Sequence, residues 1–461
     1  MNKLYQKALF IFRRDFRLED NTGLIFALEN AKIVIPCFIF TPSQIEHNPY
    51  KSDHCLQFMI ESLEELGCAI RKKNGTFYLF YGEPEDIIEK CIEQLSVDAV
   101  IVNRDYTPYS RKRDLKLETI CQKLGRAFHS FDDALLNPPE HTLKADGTPY
   151  RIFTPFYKNA VRLNVARPAE NTHKNYYNEP ISFAQDCSLY EKVLPKRFLK
   201  VSGGRSFAMH ILKNMGHFAD YKQYRDFPAE EKTTHLSAHL KFNTCSIREV
   251  YLAAAKLFGS NSDIIRALYW RDFFTSIAFY FPEVFSGAFQ KKFDQLKWSR
   301  DKHVFKNWCE GKTGFPIVDA GMREMNQTGF MHNRVRMIVA SFLVKDLHID
   351  LRWGEKYFGQ MLLDYDPCVN NGNWQWAAGT GCDAQPYFRI FNPWTQSLKF
   401  DPNCVYIKKW IPELASIAPS IIHKWHLHSL SASYSCYPMP LVDHAIESKK
   451  ALELYSQLSF V

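Results

Sequence analysis

Several features that mark common classes of protein are missing from this chain of 461 residues. It has no apolar run of the roughly 18 residues that would cross a membrane. The N-terminus is basic, but its apolar piece runs straight into Arg13 and Arg14, which predicts a first strand and excludes a signal peptide. Internal repeats and low-complexity tracts are absent. We therefore expect a globular protein that is long enough for two or three domains.

The 12 cysteines lack the spacing that binds metals, because none of them forms a C-x-x-C pair. This scatter argues against a zinc ribbon and against a disulfide framework. It fits a reducing compartment. We therefore predict a cytoplasmic or otherwise intracellular protein that has no metal site and no membrane partner.

Two nucleotide-binding motifs are absent as well. The first strand is followed by Phe12, Arg13 and Arg14, where a dinucleotide fold would have G-x-G-x-x-G, so a nicotinamide dehydrogenase fits poorly. The GKT triplet at 311–313 resembles the end of a phosphate loop, but Lys306 stands where that loop needs glycine.

What the chain does have is a net charge of +8 and an aromatic content of 15%. An excess of Lys and Arg favours polyanionic partners, since neutralised phosphates supply much of the affinity for nucleic acids. Many enzymes that never touch DNA carry a similar charge, so charge alone assigns no partner.

The N-terminal part alternates between strand-like and helical patterns. Short β-branched or aromatic runs occupy 8–12, 32–40, 76–82, 99–106 and 127–132. Such alternation predicts a parallel sheet with helices on both faces. The fold class that we expect is therefore an α/β N-terminal domain of the Rossmann-like kind, over residues 1–132, followed by an all-α domain.

The rest of the chain is predicted to be a connector and a helical domain. Residues 133–200 are rich in Pro, Asn, Tyr and Lys and have weak periodicity, which indicates a long surface linker. The pattern is helical over 201–461, with one helix predicted from Asp263 to Tyr280 and another, built on a buried stripe from Val335 to Leu343, that ends near Asp346.

Candidate ligand-binding residues are densest near the C-terminal end. The group comprises Asp364, Asp366, Asn370, Asn371, Trp374, Trp376, Arg389 and Asn392. Paired tryptophans beside amides and an arginine suit a site that stacks on flat rings such as flavins or bases. A buried amphipathic helix whose tryptophans only fill the core would give the same pattern.

Two further helices place polar and aromatic residues on one face. One face holds Ala267, Trp270, Arg271 and Phe274, and the other holds Asn333, Arg336 and Met337 with Arg334 at its edge. Taken alone, a core tryptophan with a snorkelling arginine explains the first group better than a binding face does. In the second group an arginine near Asp364 or Asp366 would form a bidentate pair, either as part of a cofactor site or as an ordinary ion pair.

Hydroxyl residues precede a helix-like run in the segment YRDFPAEEKTTHLSAHL. Thr233, Thr234 and Ser237 are expected to be helix N-caps, which is the commoner explanation. Free backbone N–H groups at such a helix start could also bind an anion.

Together and in this order, these segments resemble the photolyase/cryptochrome family, most closely the microbial class I cyclobutane-pyrimidine-dimer photolyases. The motifs that carry the resemblance are IFRRDFRLEDN (11–21), YRIFTPFYK (150–158), GKTGFPIVDA (311–320), TGFMHNRVRM, NNGNWQWAAGTG and FRIFNP. They span nearly the whole chain. The resemblance implies an α/β antenna domain and a helical domain that encloses a U-shaped FAD.

The resemblance also implies roles for individual residues. The flavin would contact Tyr221, Thr233, Thr234, His235, Leu236, Ser237, Arg271, Asn333, Arg336, Asp364, Tyr365, Asp366 and Asn370, with Arg336 and Asp364 paired beside the ring and Asn370 facing its N5. The DNA would contact Arg225, Ala267, Trp270, Arg271, Phe274, Asn333, Arg334, Met337, Trp376, Arg389 and Gln396. The catalytic set would comprise Trp374, Trp298, Trp353, Asn370 and Met337.

The implied reaction is light-dependent DNA repair. Photoexcited reduced FAD would donate an electron to a pyrimidine dimer flipped out of the DNA, and the protein would act as a monomer. Two other activities stay open: a cryptochrome-type blue-light photoreceptor and a (6-4) photoproduct photolyase. A dark flavin oxidoreductase is a remote third.

The chain departs from the family pattern at several positions. Ala267 stands where dimer photolyases have a glutamate, and Lys232 and His235 replace a usual glycine and arginine. In the tryptophan chain that reduces the flavin, Trp374 and Trp298 match the inner and outer members, but the middle position is Leu351. Trp353 is our expected substitute, with another aromatic route as the alternative.

The antenna chromophore also stays open. Tyr109 and Ser110 stand where folate-binding members carry Asn and Glu, which weakens the case for folate. A deazaflavin, another flavin or no antenna at all would fit the sequence.

Overall fold

The structure is a computed structural model that describes residues 3–193, 196–384, 386–428 and 437–458. The chain divides into two compact units. Unit 1 comprises Met1–Arg197, Val201–Gly216 and Thr234–Pro282, and unit 2 comprises Phe198–Lys200, His217–Thr233 and Glu283–Val461. Among the described residues, every helix is too short or too polar to span a bilayer.

A five-stranded parallel sheet forms the centre of unit 1. Its strands are β1 Tyr5–Phe12, β2 Ala31–Phe40, β3 Tyr78–Tyr81, β4 Ala99–Asn103 and β5 Ala127–Phe131, in the spatial order β3-β2-β1-β4-β5. In the middle of the sheet, Leu9 pairs with Ile35 on one side and with Val100 on the other. All residues from Ala8 to Phe12 are buried, so this strand is covered on both faces of the sheet, as expected of a parallel sheet with helices on both sides. The predicted α/β fold is confirmed.

The helices account for most of the remaining structure. They are α1 Thr22–Asn30, α2 Pro42–Ile45, α3 Asp53–Arg71, α4 Pro84–Leu95, α5 Pro108–Lys123, α6 Phe153–Ala160, α7 Ser188–Val193, α8 Arg205–Lys213, α9 Tyr221–Tyr224, α10 Ser237–Lys241, α11 Ile247–Phe258, α12 Asp263–Tyr280, α13 Lys302–Glu310, α14 Pro316–Thr328, α15 Asn333–Lys345, α16 Leu351–Met361, α17 Pro367–Ala378, α18 Pro393–Phe400, α19 Val405–Trp410, α20 Pro419–Ile422, α21 Trp425–His428 and α22 His444–Ser456. Short 3₁₀ turns lie at Pro139–His141, Met215–Phe218, Pro228–Glu230, Pro282–Phe285, Lys291–Gln295 and Pro412–Leu414.

The arginine- and aspartate-rich loop after β1 is tied into the fold by buried charges. Arg17 Nη2 lies 2.6 Å from Asp133 Oδ2, and Arg248 of α11 approaches Asp133 at 2.8 Å and Asp20 at 2.8 Å. Burial raises the pKa of Asp133, but Arg17 and Arg248 outweigh it and lower that pKa to about 2. The motif IFRRDFRLEDN therefore joins the sheet to α11 within unit 1.

The connector predicted over 133–200 contains regular structure that its composition did not reveal. α6 buries Phe153 and Phe156, and the Phe153 ring stacks on Trp270 of α12 with ring centroids 3.6 Å apart. A helix of two turns with Pro155 in its first turn is too short to give a clear period. Further along, Tyr176 bridges to Val34 of β2.

Unit 2 is helical around one large core. The predicted stripe on α15 is confirmed, since Val335, Ile338 and Phe342 are each at most 1% exposed. Trp374 of α17 packs directly on Gly354 of α16, where any side chain would collide with the indole. This close approach joins α16, which carries Trp353, to α17, which carries Trp374 and Trp376.

Candidate functional site

Arg336 and Asp364 form a bidentate ion pair in unit 2. The guanidinium nitrogens Nη1 and Nη2 donate to the two carboxylate oxygens at 3.1 and 2.9 Å, and Arg336 Nε donates to the Met331 carbonyl at 2.7 Å. The Asp364 side chain is 3% exposed and that of Arg336 is 24% exposed. Three bonds fix the guanidinium plane at the start of α15, which makes it a rigid, charged platform. The pair implied by the resemblance is present.

Asn370 projects from α17 one turn after the helix start. Asp366 caps that helix, because its side chain accepts hydrogen bonds from the N–H groups of Cys368 and Val369. The amide nitrogen of Asn370 donates to the Glu355 carbonyl at 3.1 Å. That bond holds the side chain and leaves the amide oxygen as the group that can accept a hydrogen bond from a ligand.

The hydroxyl segment before α10 is not the N-cap that its sequence predicted. α10 begins at Ser237 with Leu236 at the cap position and without a side-chain capping bond. Thr234 Oγ1 accepts from Leu236 N at 3.5 Å, and His235 has a left-handed backbone with φ of 53°. Such a conformation is uncommon outside glycine and clusters at functional sites.

Thr233 has a buried hydroxyl that makes no hydrogen bond within the described part of the chain. A buried polar atom without a partner costs free energy, on the order of 1–3 kcal/mol. A ligand oxygen or nitrogen bonded to Thr233 would remove this cost. Together with the ion pair and the Asn370 oxygen, this orphaned hydroxyl fits a polar cofactor such as FAD.

The remaining expected flavin residues are less diagnostic. Tyr221 starts α9 and Tyr365 lies between the two aspartates, and both are half-buried. Leu236 is buried and Ser237 is exposed. Tyr221, Thr233 and the aspartates belong to unit 2, whereas Thr234 to Ser237 belong to unit 1.

Trp374 lies in the core of unit 2 among other aromatic rings. It is 2% exposed, and its ring meets Phe358 edge-on at 4.9 Å and Trp308 of α13 edge-on at 6.2 Å. Trp374 follows Asn370 by four residues, so the two side chains share one face of α17. The sequence reasoning missed Trp308, which is completely buried.

Leu351 and Trp298 line one small cavity of about 30 Å³ together with Glu355. Among the described residues, no aromatic pair connects Trp298 to Trp374. Trp353, the expected substitute, is half-buried on α16 and meets Phe305 edge-on at 5.1 Å. Leucine at 351 therefore breaks the tryptophan chain that the resemblance implies.

Glu355 is a second residue that the sequence reasoning missed. It is 6% exposed and accepts a hydrogen bond from Asn371 at 3.2 Å, and burial raises its pKa to about 7. Its position on the buried stripe of α16 with Leu351 and Phe358 was the available signal, since a carboxylate rarely lies on an apolar face without a role.

In unit 1, the expected DNA-facing residues of α12 differ in exposure. Ala267 is exposed and Trp270 is half-buried with one face covered by Phe153. Phe274 is 4% exposed and packs against Trp270, with the ring centroids 5.4 Å apart. Arg271 donates to the backbone carbonyls of Ala134 and Leu240, so part of its guanidinium is engaged within the fold. The ligand contacts expected of these two residues stay predictions.

In unit 2, the expected DNA residues are partly or fully exposed. Arg225, Asn333 and Arg389 are exposed, and Met337, Trp376 and Gln396 are half-buried. Asn333 Nδ2 lies 3.9 Å from Met337 Sδ one turn along α15. Arg334 is held in place by Asp226 at 2.9 Å and by the Phe400 ring 4.5 Å below its guanidinium.

Known proteins are similar to this chain over nearly its whole length. Residues 8–172 match the family model described as DNA photolyase, and residues 264–457 match the model described as the FAD binding domain of DNA photolyase. A curated deoxyribodipyrimidine photo-lyase of Alkalihalophilus pseudofirmus is 38% identical and covers 96% of both chains.

Solved structures agree with the sequence comparison. An archaeal photolyase from Sulfolobus tokodaii, described with two FAD molecules, is 40% identical with a TM-score of 0.88 and covers 98% of this chain and 100% of its own. A Synechocystis cryptochrome is 27% identical, also with a TM-score of 0.88, and covers 98% of this chain and 100% of its own. Fold similarity therefore does not distinguish photolyases from cryptochromes, but it agrees with both family matches. This chain belongs to the DNA photolyase family and carries its FAD-binding domain.

Proposed function

We propose that this protein is a deoxyribodipyrimidine photo-lyase that uses FAD and light to split cyclobutane pyrimidine dimers in DNA. The observation that carries the proposal is that unit 2 contains the Arg336–Asp364 ion pair, the Asn370 amide and the orphaned Thr233 hydroxyl, each of which suits a group of the flavin cofactor. It occurs in a chain that is 38% identical, over 96% of its length, to a protein of that name.

The residues assigned to the flavin supply complementary groups. Arg336 brings a fixed positive charge that stabilises an electron-rich, reduced ring. The Asn370 oxygen suits an N–H at the ring edge, and Thr233 offers a hydroxyl for the polar part of the cofactor. When bound in its reduced form, FAD supplies a light-absorbing electron donor. The protein holds that donor in place and shields it from water.

The residues assigned to the lesion combine cations with rings and a thioether. Arg225 and Arg389 are exposed, as phosphate-contacting side chains must be. Within unit 2, Trp376 and Met337 offer apolar surface for the two linked pyrimidines of an extruded dimer. Photolyases are known base flippers, and a dimer stacks and pairs poorly, so extruding it costs less than extruding a normal base.

A blue-light receptor is the second candidate, because of Ala267 and Leu351. The first position lacks the glutamate expected to bind the thymine carbonyls, and the second lacks a ring of the photoreduction chain. Ala267 affects the yield of dimer repair, and Leu351 affects the rate of flavin photoreduction. The residues assigned to the flavin are all present, so dimer repair remains our proposal. A (6-4) photolyase has no specific observation in its favour.

One experiment separates these functions. Purified protein carrying FAD is incubated with an oligonucleotide that contains one cyclobutane thymine dimer, in blue light and in darkness, with the flavin reduced chemically beforehand. We expect dimer loss in light only, and no change in a matched oligonucleotide with a (6-4) photoproduct. Bound flavin without repair would favour the receptor, repair of the second lesion alone would favour the (6-4) enzyme, and colourless protein that cannot be reconstituted would remove both.

The absorption spectrum of the purified protein tests for the second chromophore. A band at shorter wavelength, beside that of FAD, would reveal the second antenna chromophore. The identity of that chromophore and the monomeric state stay predictions.

A further inference from the structure

Among the described residues, the ring contacts of Trp374 lead toward Trp308 and not toward Trp298. Leu351 and Trp298 line a cavity, and leucine cannot carry a charge between Trp298 and the core. On the other side, Trp374 touches Trp308, which is completely buried, with an angle of 69° between the rings. Phe358 contacts both indoles, at 4.9 Å from Trp374 and 6.2 Å from Trp308.

Trp308 is chemically suited to pass a charge on rather than to keep it. Its indole N–H donates to the backbone carbonyl of Val339 at 3.2 Å. A carbonyl accepts a hydrogen bond but is far too weak a base to take the proton. An oxidised Trp308 would therefore keep its proton and remain able to recover an electron from a neighbouring ring.

From Trp308 the rings continue outward to α16. Phe305 stacks on Trp308 at 5.8 Å and meets Trp353 at 5.1 Å, and Trp353 is half-buried. Tyr357 also contacts Trp308, at 5.9 Å, but its hydroxyl donates to the Asn326 amide oxygen at 2.8 Å. Oxidising a tyrosine requires proton loss, and an amide oxygen does not accept that proton, so Trp353 is the better terminus.

We propose that the photoreduction route of this protein is Trp374, Trp308 and then Trp353 across the Phe305 ring. This inference rests on the proposed function only in that FAD is the electron acceptor. Each absorbed photon moves one electron from Trp374 to oxidised FAD; Trp308 refills Trp374, Trp353 refills Trp308, and a thiol in solution reduces Trp353. No covalent bond changes within the chain, the thiol is oxidised, and FAD is reduced.

The test uses flash absorption and electron paramagnetic resonance on holoprotein with oxidised FAD and dithiothreitol. In Trp308→Phe we expect loss of the long-lived tryptophan radical, because the charge on Trp374 has no onward partner and recombines. In Trp353→Phe the radical forms but decays early. Trp410→Phe, a half-buried tryptophan outside the route, serves as the matched control and keeps the wild-type signal. A normal signal in Trp308→Phe, or its loss in Trp298→Phe, would overturn the proposal.

A second variant guards against a folding defect in Trp308→Phe. Adding Leu351→Trp to it supplies a ring next to the cavity that Trp298 lines, so the radical should return with Trp298 as its terminus. The near-UV circular dichroism of the flavin-free protein should lose the contribution of the Trp308–Trp374 contact in Trp308→Phe. If Trp308→Phe changes the dichroism as expected but the added Leu351→Trp substitution does not restore the tryptophan radical, the proposed route is wrong. Dimer repair by wild-type protein with chemically reduced FAD tests the proposed function separately, since it needs no photoreduction.

Discussion

Arg336 donates to both oxygens of the buried Asp364 carboxylate, at 3.1 and 2.9 Å. Removing the arginine would leave Asp364 buried and unpaired, which costs several kcal/mol in a fully enclosed site. Because the Arg336 side chain is partly exposed, we expect a loss on the order of 2 kcal/mol of stability in Arg336→Met. FAD retention should fall by roughly tenfold or more.

Thermal unfolding and flavin content after gel filtration check this prediction. The matched control is Arg197→Met, which removes an arginine from an exposed pair with Asp53 and should change neither quantity. Full flavin retention in Arg336→Met would show that the pair supports the fold alone.

Glu355 predicts a pH dependence of stability. Its pKa is about 7 in the folded protein because of burial, against an ordinary value of 4.5. Between these values the folded state binds the proton and the unfolded state does not, so stability falls as pH rises from 4.5 to 7 and then levels off. Glu355→Gln, which keeps an acceptor for Asn371, should remove this loss of stability, on the order of 3 kcal/mol, above pH 7.

The readout is the difference in unfolding free energy between wild type and Glu355→Gln at pH 5 and pH 8. The gap should widen in favour of Glu355→Gln at the higher pH. Glu453→Gln, which replaces an exposed carboxylate on α22, should leave the gap constant. A constant gap in Glu355→Gln as well would contradict a raised pKa.

Replacing Ala267 with glutamate is expected to raise the efficiency of dimer repair. The residue is exposed on α12, one turn before Trp270, so a glutamate side chain is accommodated there without a packing cost. Ala267→Glu should raise the number of dimers split per absorbed photon, since its carboxyl can bond the thymine carbonyls. Ala267→Gln is the control for charge. An unchanged or lower yield would remove this role for the position.

Arg225 is expected to contribute to the salt dependence of DNA binding. It is exposed on the turn after α9, and a phosphate contact there would release one counterion. Arg225→Ala should weaken binding of damaged and undamaged duplexes alike and reduce the slope of log K against log salt by about 0.9. Lys90→Ala, an exposed cation on α4 beside the sheet, is the control. Weaker binding with an unchanged slope would mean that Arg225 supports the local fold.

The sequence determined most of the local structure because that structure depends on local periodicity. The predicted helix from Asp263 to Tyr280 has the same bounds in the structure, and the alternating runs became five parallel strands. Arg336 and Asp364 were matched by motif and lie in contact. Short segments were harder to predict from sequence, because one or two helical turns carry too little periodic signal. α6 lies in the segment that we expected to be an irregular linker, and Thr234 does not cap α10.

Only the tertiary structure decided which distant residues meet. Trp308 and Trp374 are far apart in sequence, and nothing in either segment indicates that their rings are in contact with each other and with Phe358. Helix packing likewise buries the Phe274 ring, and it raises the pKa of Glu355 by removing that carboxyl group from water. Side-chain contacts and desolvation depend on how helices pack, and packing joins residues that no sequence period relates.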